Sequence, residues 1–163
     1  MYLKTCFLVV LCLALAVPAF AAQDYVKVVA VADGNTITVL RNELQVRARL
    51  YGIDCPKKGQ AFGNRAKQAT VNAVHGVTVA IQQIAMDRYD SIVAVVLTPE
   101  GESLNEILVR DGLAWVYPQY CKHEDICAPL RRLAAEAKAA RRGLWRDKDP
   151  VPPWEWRKAK RYP

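Results

Sequence analysis

Two short segments carry the groups best suited to chemistry. Residues 33–36 read Asp-Gly-Asn-Thr, and residues 49–57 run from Arg49 through Asp54, Cys55 and Pro56 to Lys57. Asp33 and Asp54 are hard oxygen donors of the kind a calcium-sized cation takes. Arg49, between them in sequence, has the forked donor geometry that grips a phosphate through paired hydrogen bonds. A carboxylate at each end of a short strand pair, with an arginine between, suits a cation and a phosphate together. Asn35 offers that site only a neutral oxygen, and Lys57 brings a positive charge where a base would be useful.

The elements that must position these groups are legible from period and punctuation. Residues 25–31 are β-rich, and Asp33-Gly-Asn35 is a turn. Thr36–Leu40 is a second strand. Leu44, Val46, Ala48 and Leu50 alternate with Gln45, Arg47, Arg49 and Tyr51, which predicts a third strand with both arginines on the face opposite the apolar one. A helix follows over 62–75, capped by Gly76. Strands over 77–84 and 91–97 flank a hairpin at Asp87-Arg-Tyr-Asp90, where Asp90 tolerates a left-handed conformation. Ser103 to Glu106 has capping-box spacing and opens a second helix ending near Gly112. Glu106 and Arg110, four apart, read as a pair on it. A third helix starts near Pro129 and runs to about Arg142, with Leu130, Leu133, Ala134 and Ala137 as its apolar stripe. Residues 147–153 read as a loop, after which Trp154 and Trp156 return to cover the body. Five strands with a helix between the third and fourth give the fold class: a β-barrel with helices (α+β), a five-stranded OB-fold barrel plus three helices.

Three divisions of the chain follow. Residues 1–21 read as a signal peptide: Lys4, an apolar run from Thr5 to Val17, and Ala19-Phe-Ala21 as the cleavage site. Residues 22–146 form the barrel domain, and residues 147–163 a basic Pro/Trp-rich tail. The expected product is a secreted or periplasmic monomer with no stable membrane insertion once the signal is cleaved. In such an oxidising compartment Cys121 and Cys127 are the natural disulfide couple. A bond from Cys55 to either of them stays open at this level. Charge is uneven. Residues 22–130 hold 11 basic and 12 acidic residues, whereas 131–161 hold 11 and 4. A terminal quarter at +7 favours polyanions through phosphate neutralisation.

The motifs Asp33-Gly-Asn-Thr-Ile, Arg49-Leu-Tyr-Gly-Ile-Asp54-Cys-Pro, Gln60-Ala-Phe-Gly63, Asp87-Arg-Tyr89, Leu104 to Ala114 and Arg142-Gly-Leu-Trp145 occur in one order along the chain. Together they resemble the thermonuclease, or staphylococcal nuclease, family. The resemblance implies an OB fold, binding of single-stranded DNA or RNA, and calcium-dependent cleavage of phosphodiesters. It places a calcium ligand on Asp54, another on Asn35 where the family has an acid, and a backbone-carbonyl ligand on Cys55, with Asp33 nearby. Arg49 falls on a catalytic arginine. Lys57 falls on the family's glutamate and Ser91 on its second catalytic arginine. Arg88 falls on a phosphate contact, and Tyr89 and Tyr120 on tyrosines that face the nucleotide.

Three of the five catalytic side chains thus differ. Each loss commonly costs about 100-fold or more, although not additively. Charge at the site changes little, and Arg49, Arg88 and Lys57 remain to meet a phosphate. The expectation is a protein that holds single-stranded nucleic acid, or another polyanion, with cleavage weakened or lost and with a weakened calcium site. The alternatives are an active nuclease rebuilt around Asp33, Asp54, Asp90 and Arg49, and an OB-fold interaction module without catalysis.

Overall fold

The structure, a computed structural model, describes residues 24–161. The expected signal segment and its cleavage site lie outside these residues. β1 (Asp24–Asp33), β2 (Thr36–Arg41) and β3 (Leu44–Leu50) form the predicted meander. β4 (Ile53–Asp54), α1 (Gly63–Val74), β5 (Thr78–Met86), β6 (Ile92–Leu97) and α2 (Leu104–Arg110) follow. β7 (Trp115–Val116), α3 (Glu124–Ala139), a 3-10 turn (Gly143–Arg146) and α4 (Pro153–Arg161) complete the order. Strands β1-β2-β3-β6-β5 close into a barrel, with β3 and β6 running parallel. Closure removes the unpaired edges a five-stranded sheet would otherwise present.

The alternation read in β3 holds where it faces the core. Ala48 and Leu50 are buried, Val46 is half-buried, and Arg47 and Arg49 point outward. Leu44, at the open end, is exposed. Tyr51 departs from the pattern because the strand has ended. Its ring is buried, and its hydroxyl accepts from the backbone N–H groups of Lys122 (2.8 Å) and His123 (3.0 Å). Asn105 fastens α2 to the barrel: its Oδ1 accepts from Val96 N (3.2 Å) and its Nδ2 donates to Tyr51 O (2.9 Å). Both are fully enclosed, so each removes an unpaired backbone group from the interior.

Four readings are corrected. There are four helices rather than three among the described residues. The tail folds from Pro153 into α4, because a proline start and Glu155 in the first turn oppose basic residues in the last. Helix α3 begins at Glu124, five residues before Pro129. Pro129 sits in its second turn, where it forfeits one helical hydrogen bond, while Glu124 and Asp125 favour the dipole at the N-terminus. Arg110 pairs with Glu102 (3.4 Å) and Asp111 (3.5 Å) instead of Glu106, because these two carboxylates lie within reach of its guanidinium. The two-residue strands β4 and β7 also escaped sequence reading, being too short to show a period. The cysteine question closes in favour of Cys121–Cys127, which are bonded; Cys55 is a free, buried thiol. Among the described residues no helix is long and apolar enough to cross a membrane.

Candidate functional site

The first carboxylate turn is held from behind by α1. A side chain on Gly34 would meet Ala66 Cβ and Cys55 Cβ at 2.8 Å, so only glycine allows this approach. Thr70 Oγ1 donates to Gly34 O at 2.7 Å, locking the turn to the helix. At the start of α1, a Cβ on Gly63 would stand 2.2 Å from Lys57 O, which fixes the loop after β4 just as closely. Within the turn, Asn35 N donates to Asp33 Oδ1 (3.0 Å). Asp54 is presented from the other side by the β4–β7 ribbon, directly opposite Trp115.

These constraints bring Asp33, Asn35, Asp54 and Lys57 together. The Lys57 ammonium lies 2.7 Å from Asn35 Oδ1, 3.1 Å from Asp33 Oδ2 and 3.1 Å from Asp54 Oδ1. The ammonium donates hydrogen bonds to Asn35 Oδ1 and Asp33 Oδ2 and faces Asp54 Oδ1 as an ion pair. The second oxygen of Asp54 accepts from Arg157 Nη1 of α4 at 2.8 Å. The Asp54 side chain is only 6% exposed. Two carboxylates therefore meet two cations, both supplied by the chain itself.

That arrangement does not fit the calcium ion the family resemblance implies. Calcium takes six to eight oxygens at about 2.3–2.6 Å. Here the centre of the acceptor set is filled by Lys57 Nζ, and both Asp54 oxygens already face cations. Asn35 adds no charge, and its Nδ2 donates to Ile53 O (3.3 Å) while its Oδ1 also receives Cys55 N (3.4 Å). Burial holds the Cys55 thiol well above its ordinary pKa, with Lys57 working against that rise and Asp33 and Asp54 adding to it.

Arg49 belongs to a second group on the hairpin side. Its Nε faces Asp87 Oδ2 at 3.3 Å, and its side chain is about half exposed. Asp87 Oδ1 accepts from Tyr89 N (2.8 Å) and Ser91 N (2.9 Å). Burial alone would raise the Asp87 pKa, but the Ser91 and Tyr89 N–H groups and Arg49 together bring it below the ordinary aspartate value. Asp87 thus braces Arg49 from its Nε side. Ser91 is 1% exposed and offers no group to solvent. Asp90 takes the left-handed conformation expected of it, with φ 57°. Tyr89 is exposed, with the Arg88 guanidinium 4.9 Å over its ring.

Tyr120 belongs to a third group. It is exposed and meets Tyr117 edge-on, with centroids 4.8 Å apart. Tyr117 stacks in parallel on Trp154 of α4 (4.4 Å, 10°), and Trp154 meets Trp115 edge-on at 5.9 Å. Burial pushes the Tyr117 phenol up, helped by Tyr120 and opposed by Arg157. Sequence reading missed Arg157, Tyr117 and Trp115. Arg157 sits in a run of basic residues that reads as a solvated tail, so only its position in space singles it out.

A closed barrel of five strands with helices on its flank, with Asp33 and Asp54 brought together at one end and Arg49 held on the hairpin side, defines a protein of the nuclease-barrel class. Residues 47–147 match the family described as staphylococcal nuclease homologue. The chain is 42% identical over 143 residues to an "Uncharacterized endonuclease" of Escherichia coli, covering 88% of this chain and 91% of that one. It is 38% identical over 156 residues to a "Micrococcal nuclease" of Shigella flexneri, covering 90% and 87%. The chain belongs to the staphylococcal nuclease family.

Proposed function

We propose that this protein binds single-stranded nucleic acid outside the cytoplasm and that its phosphodiesterase activity is weakened or lost. The observation that carries the proposal is the Lys57 ammonium seated among Asp33, Asn35 and Asp54. A positive side chain there can neither accept a proton from water nor leave room for a cation that would polarise a phosphate. The burial of Ser91 adds to it, since no second arginine reaches outward from that hairpin position. What remains is suited to holding: the half-exposed Arg49, the exposed Tyr89 with Arg88 above it, and the exposed Tyr120. Tyrosine rings give stacking faces that tolerate any base, and the arginines give phosphate contacts.

Retained cleavage is the second reading, favoured by relatives whose names say endonuclease and micrococcal nuclease. One pair of assays separates the two. A labelled single-stranded oligonucleotide is titrated with the purified chain, and anisotropy is read across salt concentrations. Two phosphate contacts, from Arg49 and Arg88, predict a log–log salt slope of about −1.4; no salt-dependent binding would sink the binding reading. The same oligonucleotide is then incubated with calcium or with chelator. Chelator-sensitive cleavage that disappears in Asp54→Ala would establish the second reading instead.

A further inference from the structure

We propose that Lys57 and Arg157 are built-in counter-ions standing in for a multivalent cation, so that docking of α4 and cation binding at Asp54 exclude one another. The inference concerns the same pocket as the function proposed above, but does not depend on nucleic-acid binding.

Charge balance is the first support. Asp33 and Asp54 bring two negative charges, and Lys57 and Arg157 bring two positive ones, all within hydrogen-bond distance of Asp54 or of the Lys57 ammonium. Occupancy is the second. Asp54 gives Oδ1 to Lys57 and Oδ2 to Arg157, so a metal taking either oxygen at about 2.3–2.6 Å must displace one of them. Lys57 is tethered inside the pocket by its own loop, where Lys57 N donates to Gln60 Oε1 (3.1 Å) and Gln60 N to Lys57 O (2.8 Å). Arg157 arrives from outside the barrel on α4.

The attachment of α4 makes that exchange feasible. Among the described residues, no backbone hydrogen bond joins 153–161 to the barrel. The helix is held by the Arg157–Asp54 pair, by Trp154 stacked on Tyr117 and edge-on to Trp115, by the buried Pro153, by Trp156 beside Gly59, and just upstream by Gln60 Nε2 donating to Val151 O (2.7 Å). It can therefore detach without disturbing a strand pairing. Linkage then requires reciprocity: whatever loosens Arg157 must strengthen cation binding, and a bound cation must loosen α4.

The test uses the full chain and two probes, calcium by calorimetry and terbium(III) by luminescence sensitised through the nearby Trp115. Wild type, Arg157→Gln and Lys57→Gln/Arg157→Gln are compared. The wild-type chain should show no saturable calcium site below roughly 1 mM, the weak end of protein calcium affinities. Arg157→Gln should bind terbium at least about tenfold more tightly than wild type, the scale of a modest coupling between sites. The double variant should bind more tightly again. In wild type, saturating terbium should speed amide exchange across α4. Equal affinity in all three proteins, or α4 exchange slowed by terbium, would overturn the proposal. Should the double variant fail to fold, as read by circular dichroism, the wild-type and Arg157→Gln comparison still decides. The oligonucleotide titration on the wild-type chain reads the proposed function separately.

Discussion

Replacing Lys57 by methionine tests whether the ammonium holds the pocket together. Methionine keeps the length and apolar stem of the side chain and removes its charge and donors. The change deletes two ion pairs of 3.1 Å and a 2.7 Å hydrogen bond. Breaking a fully buried pair costs about 3–5 kcal/mol, and an exposed one about 0–1. Lys57 is 20% exposed, and Asp54 keeps Arg157 as a partner, so the expected loss lies between, at about 2 kcal/mol. For a domain of this size that corresponds to a fall of roughly 8 °C in melting temperature. Thermal unfolding followed by circular dichroism reads it. The difference should persist in 1 M salt, because enclosed pairs are screened far less than exposed ones. A cycle with Asp54→Asn should show a coupling of about 1 kcal/mol. A variant melting level with wild type, or additivity in the cycle, would refute the placement of the ammonium.

Further outcomes follow from single contacts. Asn105→Ala should cost about 2–3 kcal/mol in denaturant unfolding, because Val96 N and Tyr51 O lose their buried partner. Asp87 has a lowered folded pKa, so its contribution is present above the ordinary aspartate value of about 3.9 and is lost as pH falls through the folded pKa; Asp87→Asn should flatten the acid limb of a stability–pH curve below that value. Cys55 should resist alkylation at pH 8 in the folded chain and react once the chain is unfolded, as mass spectrometry reads. Reducing Cys121–Cys127, six residues apart, should lower stability by about 2 kcal/mol on the loop-closure scale.

What the sequence made legible has a common physical basis. Strands β1 to β3, α1, β5, β6 and α2 each span enough residues for a period or a cap to register, and the barrel followed from their order. The juxtaposition of Asp33, Asn35 and Asp54 was likewise readable, because the turn and the strand end sit at fixed places in that barrel. Lys57 was readable as a misplaced charge. Its inward direction was not, since that depends on Gly63 admitting α1 against its carbonyl and on Gln60 closing the loop. β4 and β7 are bound by pairing across more than sixty residues, which no local pattern records. Arg157 lies 103 residues from Asp54 in sequence, and its neighbours Lys158, Lys160 and Arg161 are exposed cations, so its type alone carried no hint of an ion pair.

The match to the family ends at residue 147, ten positions before Arg157. A lysine inside the matched segment meets Asp33 and Asp54, and an arginine beyond it meets Asp54. The two cations therefore act on one pocket from within and from beyond the matched segment. Across related chains the two features should travel together. Where the position of Lys57 holds an acid, an arginine reaching back from the terminus has less to answer; where it holds a lysine, the terminal helix should be kept. Trimming such a chain at the shared boundary would leave Asp54 with one of its two partners, altering the pocket by an edit made outside it.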